Sequence, residues 1–262
     1  MRVTIVFLFC IFLSWAAGPS AADHHHGLKI IGFPKEGRLE IDGSGPYADL
    51  VRAILKQAGY DGAFIATPVL RALRYFETEG EVCLVPTSKI AITNQFPTIG
   101  ADKLIASEPI DYITGHLVTR PGTKPIRNPA EIDGKIMAAW VGVNVNVFFP
   151  NIDFTLLKTE SEENAIRLLH NGRVDVIWSW IPDAYILYEQ MGLGEPVLAE
   201  DSPIFGSSAH FTCHRTARTE QLISRIDLVI NEMRTDGRLK KILGKHARII
   251  GIDVPMPKTL GN

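Results

Sequence analysis

Trp178 and Trp180 flank a single serine in the stretch DVIWSWIPDAY, where an apolar run meets proline and acid. Residues two apart on an extended strand project to the same side, so the pair is placed to form an aromatic wall. Such a wall stacks on a flat molecule or a cation, the cation contact being worth about 0.5–2 kcal/mol. The same spacing equally serves two core residues packed under a helix. Trp140 closes another apolar run, and Gly142, Asn144 and Asn146 follow it at a strand-to-helix turn. Free backbone N–H groups at such a turn hold an anion or a carbonyl oxygen, or simply cap the turn. Thr87 and Ser88 bring two hydroxyls to the end of a third run, and Arg71 in TPVLRAL is the candidate cationic anchor, with a plain surface role as its alternative. His24, His25 and His26 carry imidazoles suited to a transition metal, or belong to a disordered N-terminus. His116, His210 and His214 fall on two later segments, as a cluster or as structural residues, and Glu108 and Asp111 lie beside the first of these segments.

Few of the stronger chemical signatures are present. The chain has no Gly-x-Ser-x-Gly elbow, no glycine-rich lysine loop to cradle a phosphate and no His-Glu-x-x-His helix. No catalytic residue, cofactor or metal is therefore expected. With 262 residues, 46% hydrophobic and 21% charged, the chain is long enough for one or two cores. Residues 1–22 pair Arg2 with an uncharged apolar stretch, a Gly-Pro pair and small residues up to Ala22, the anatomy of a signal peptide cut just before Asp23. This apolar run is shorter than the roughly 20 residues that span a bilayer. Cys10 within it lacks the small residues a lipid-attachment site needs before it. Without Arg2, 26 basic residues face 29 acidic ones, a balance that does not suggest a nucleic-acid surface, which would be strongly basic.

The elements that would position these residues follow from hydrophobic periodicity. Strands are expected over 28–33, 62–67, 81–87, 134–140, 153–159 and 173–180. Helices are expected over 47–60, from Pro68, from Asn144, and over 161–172 with Ser161 as N-cap and Asn171-Gly172 as the stop. The region around Pro97 and Pro109 reads as irregular. Long extended segments at 112–119 and 207–215 read as crossings between two halves, and the chain ends in helices. Strands separated by helices imply right-handed crossovers and parallel pairing, so the fold class is α/β.

The order and spacing of GPYADLVRAIL, EIDGKIMAAWVGVN, NGRVDVIWSWIPDAYILY and INEMRTDGRLKKILGKH resemble the family-3 extracellular solute-binding proteins, which have the two-lobed type II periplasmic binding fold. The resemblance spans nearly all of 28–250, and TPVLRAL is similar to a divergent branch of that family. It implies a first lobe over 23–115, a second over 116–205, and a return to the first over 206–262 with the C-terminal helices. Two crossing hinge strands, at about 112–118 and 203–210, would let the lobes close on a ligand. Loops at the carboxyl ends of the strands line such a cleft, which puts Phe33, Thr87, Ser88, Trp140, Gly142, Asn144, Trp178, Trp180 and Asp183 there. Tyr47 at the entry of the first helix and Arg71 complete the expected site. The family's strand pairing would also set Cys83 beside Cys213, as a disulfide or as two free thiols.

The departures from the pattern bear on the ligand. Amino-acid-binding members grip the carboxylate with an arginine after the third strand, and no arginine lies between Arg74 and Arg120. They take the ammonium with an aspartate where this chain has Trp180. The resemblance thus implies a monomeric periplasmic protein that holds a small organic molecule other than an ordinary α-amino acid, for an ABC permease or a membrane sensor. The alternatives are a secreted enzyme resembling cyclohexadienyl dehydratase, and an accessory protein whose cleft is filled by Trp178 and Trp180 packed on Trp140.

Overall fold

The computed structural model describes residues 27–254. The expected signal peptide with its cut at Ala22, Cys10, and His24 to His26 lie outside the described residues.

A short apolar run with two isoleucines forms β1 (Lys29–Gly32). The loop behind it folds back on itself, with Lys35 and Leu39 exchanging both backbone hydrogen bonds (2.8 and 2.7 Å). Gly45 ends this loop at φ 102°, and a Cβ there would press into the carbonyl of Arg38, so glycine is required. Pro46 then opens α1 (Pro46–Gln57), at a position whose N–H has no helical partner. Leu50, Val51, Ile54 and Leu55 are buried along one face of that helix. Next come β2 (Phe64–Ala66), α2 (Val69–Thr78), and β3 (Val82–Thr87). Ser88 caps α3 (Lys89–Gln95), its hydroxyl accepting from the Ala91 N–H at 3.2 Å.

The stretch expected to be irregular holds α3 and a short strand, β4 (Leu104–Ala106). Both are too brief to show a period. The first crossing strand, β5 (Asp111–Thr119), leads to β6 (Ile136–Trp140), β7 (Thr155–Thr159), α4 (Glu162–His170), and β8 (Val176–Ile181). Ser161 caps α4, accepting from Asn164 N at 3.0 Å. The helix expected from Asn144 is a single 3-10 turn, Val145–Phe148, because Pro150 follows too soon for a longer helix. The loop expected after Trp178 is instead the end of β8 followed by α5 (Asp183–Gln190). The return strand β9 (Phe205–His214) precedes α6 (Ala217–Thr235) and α7 (Arg238–Leu243).

Strand order is β2-β1-β3-β9-β5-β8-β6-β7, with β4 also on β9. β1 pairs in parallel with β2 and β3, and β6 in parallel with β7 and β8. These two parallel groups are the sheets of the two lobes. β9 runs antiparallel to β3 through its last residues and to β5 through its first, while β5 runs antiparallel to β8. The two crossing strands therefore join the lobes. Helices cover both faces of the first-lobe sheet, while α4 and α5 cover one face of the second and 3-10 turns and loops the other, with separate apolar clusters on either side of each sheet. Cys83 lies directly opposite Cys213 in the β3–β9 ladder, and the two form a disulfide. No helix among the described residues is long and apolar enough to cross a membrane.

Candidate binding cleft

A cavity of about 190 Å³ opens between the lobes against the crossing strands. Phe33, Thr87 and Ser88 reach it from the first lobe, Trp140, Gly142 and Trp180 from the second. Ile113 of β5 and Phe205 of β9 form its floor. These positions share a cause: each lies at or just past the carboxyl end of a strand, or on a crossing strand, where the backbone turns away from the sheet.

The two tryptophans share a face of β8 and have different surroundings. Trp178 is 2% exposed. Its ring stacks on Phe148 (4.7 Å between centroids) and meets Phe149 edge-on (6.0 Å). A Cβ on Gly115 of the neighbouring strand would fall inside its indole. Trp178 is thus core, and the expectation that it faces the cleft is corrected. Trp180, one step nearer the strand end, is only partly buried and lines the cavity. It packs edge-on against Trp178 (5.4 Å) and Phe205 (6.1 Å). Trp140 folds over the backbone at Gly142, where any side chain would collide with its ring.

The remaining expected residues lie elsewhere. Tyr47 is fully buried behind the cleft, its hydroxyl donating to Asp111 at 3.1 Å. Burial and that carboxylate push its pKa well up. Arg71 is exposed on α2 and Asn144 is exposed beyond Gly142; neither borders the cavity. Asp183 is 2% exposed at the start of α5 and faces protein cations. Among the described residues, His116, His210 and His214 form no metal-binding cluster. His116 bonds to the Ala199 carbonyl (3.2 Å) and Thr114 Oγ1 (2.9 Å), and His210 to the Ser107 carbonyl (2.6 Å). Burial lowers the pKa of both. His214 stacks on Phe76 at 4.0 Å.

Beside the cavity lies an ionic network that the sequence did not announce. Arg38, 2% exposed, donates through Nη1 to Asp183 (2.9 Å) and through Nη2 to Asp111. Burial disfavours its charge, yet the two carboxylates outweigh burial and raise its pKa. Lys35 Nζ stands 3.7 Å from the other oxygen of Asp183 and 5.2 Å over the Trp180 ring. Asp111, noted in the sequence beside the first crossing segment, is fully buried, where it meets both Arg38 and Tyr47. Glu108, noted beside it in the sequence, faces Arg234 at 3.7 Å. Arg38 thereby ties the loop after β1 to the crossing strand β5 and to α5 of the second lobe. A further tie runs from Glu36 to the Glu163 N–H at 2.9 Å. Next to Asp183, burial and that neighbour push the Glu162 carboxyl up to about 8; Ser179 Oγ and the Trp180 N–H donate to it.

No protein-family model and no curated protein sequence matches the chain. Solved structures do. The GluR0 ligand-binding core in complex with L-glutamate aligns with a TM-score of 0.67 at 11% identity, covering 83% of this chain and 98% of that one. The substrate binding protein of an amino acid ABC transporter aligns at 0.61 and 15% identity, over 84% and 99% of the two chains. A histidine kinase sensor domain with similarity to periplasmic binding proteins aligns at 0.62 and 16%, over 83% and 94%. The chain has the two-lobed fold of the type II periplasmic binding proteins, the architecture its motifs implied.

Proposed function

We propose that this protein captures a small solute between its lobes in the periplasm and presents the closed form to an ABC permease or a membrane sensor. The observation that carries this reading is the cavity itself, bounded by strand ends of both lobes and walled by Trp140 and Trp180. Support also comes from similar structures, which include an amino acid transporter's binding protein and a kinase sensor domain. An ordinary α-amino acid is not the expected ligand, because the family resemblance aligns Trp180 with the ammonium-binding aspartate of such receptors, and the loop after β3 offers no arginine. The filled cleft that an accessory role would require is not favoured, since an open volume remains between Trp180 and the first lobe.

Thermal-shift and tryptophan-fluorescence screening against metabolite pools tests the reading. A ligand that shifts both signals should lose affinity in Trp180→Ala, which is expected to keep the fold. No shift from any pool, or a variant that binds as the parent does, would remove the cleft as a binding site. Turnover of prephenate or arogenate in the same buffer would identify a dehydratase instead.

A further inference from the structure

We infer that the ligand of this cleft carries no charged group: a flat, largely apolar molecule whose polar groups are uncharged carbonyl, amide or hydroxyl groups. This deepens the reading above and rests on it.

The ionic groups at the cavity are Lys35, Arg38 and Asp111 on its wall and Asp183 behind them. Two cations and two carboxylates sum to zero, and each has an opposite charge within 4 Å, Lys35 Nζ and Asp183 Oδ2 facing each other at 3.7 Å without a hydrogen bond. Arg38 spends one terminal nitrogen on each aspartate. The second oxygen of Asp111 takes the Tyr47 hydroxyl, and the second oxygen of Asp183 faces Lys35. An anionic ligand finds no guanidinium nitrogen pair to grip and meets two buried carboxylates nearby. A cationic ligand finds no unpaired carboxylate on the wall. The other means of holding a cation, the face of Trp180, is covered by Lys35 at 5.2 Å. A charge moved from water into such a site lacks the partner that offsets its desolvation.

What the cavity does offer is matched to a neutral molecule. Phe33, Ile113, Trp140, Trp180 and Phe205 supply apolar and aromatic surface. Among the described residues, the Thr87 hydroxyl and the Gln95 carboxamide, both on the wall, have no hydrogen-bond partner in the protein. Each both donates and accepts, and neither has a charge to offer.

The test uses the purified full chain and pools of small molecules sorted by charge at neutral pH into neutral, anionic, cationic and zwitterionic sets. The neutral pool should raise the melting temperature and change the tryptophan fluorescence. Charged analogues of a neutral hit should bind about tenfold or more weakly, and the affinity of the hit itself should change less than about twofold between about 0.05 and 0.5 M salt. Hits confined to the anionic, cationic or zwitterionic pools would overturn this inference while leaving the cleft reading in place; no hit in any pool would overturn both. A second arm asks whether the protein's own lysine bars cations. Lys35→Met uncovers the Trp180 face, and benzylamine should then bind about tenfold more tightly than to the parent. An unchanged benzylamine response refutes the self-occupied ring.

Discussion

Arg38→Met keeps most of the side chain's length and removes its charge, leaving Asp111 and Asp183 without the cation they share. Both aspartates are 2% exposed or less, so water does not replace the lost partner. Removing one member of a buried ion network costs about 3–5 kcal/mol. For a chain of this size each kcal/mol moves the melting temperature by about 2–4 °C, so the variant should melt roughly 6–20 °C below the parent. Circular-dichroism melts at neutral pH measure it, with urea unfolding as the check on free energy. The double variant Arg38→Met with Asp183→Asn neutralises one of the stranded carboxylates. It should recover part of the loss, the non-additivity expected of residues in one network. A melting temperature for Arg38→Met within about 2 °C of the parent would refute the argument, as would strict additivity in the double variant.

Replacing Cys83 and Cys213 by alanine opens a loop of 130 residues and should cost about 4–5 kcal/mol by chain entropy; a reductant should lower the parent's melting temperature and leave that of the variant unmoved. Gly115→Ala forces a methyl into the Trp178 indole, an overpacking worth about 1–3 kcal/mol that urea unfolding would register. The stability linked to Glu162 has a definite sign. Its folded pKa is raised to about 8 from the ordinary 4.5, so the contribution is full below about pH 4.5 and is lost as pH rises toward 8. Glu162→Gln, which stays neutral, should flatten that part of the stability profile, and identical profiles for the two proteins would exclude the effect.

Much of the fold is written locally. Alternating apolar runs and amphipathic stretches mark β1, α1, β3, β6, β8 and α6, and capping residues such as Ser161 with Asn171-Gly172 mark the ends of α4. These signals depend on residues within a few positions of each other, so they survive without knowledge of the rest of the chain. α3, β4 and α5 escaped because three to eight residues display too little of a period.

The candidate cleft was legible where it depends on strand ends. Phe33, Thr87, Ser88, Trp140, Gly142 and Trp180 border the cavity because a parallel sheet presents its carboxyl-end loops on one side. The even spacing in WSW determined that both indoles share a face. Which of them is core and which meets the cleft was decided by Phe148 and Phe149, some thirty residues upstream, and by Gly115 on the neighbouring strand. Arg38 shows the same limit. In sequence it is one cation in a polar loop, and its partners stand 73 and 145 residues away. Sequence determined the pattern of the elements, since each is stabilised by neighbours along the chain. Tertiary structure alone decided which polar groups are used up by one another and which stay free for a ligand, because burial and pairing depend on segments that only folding brings together.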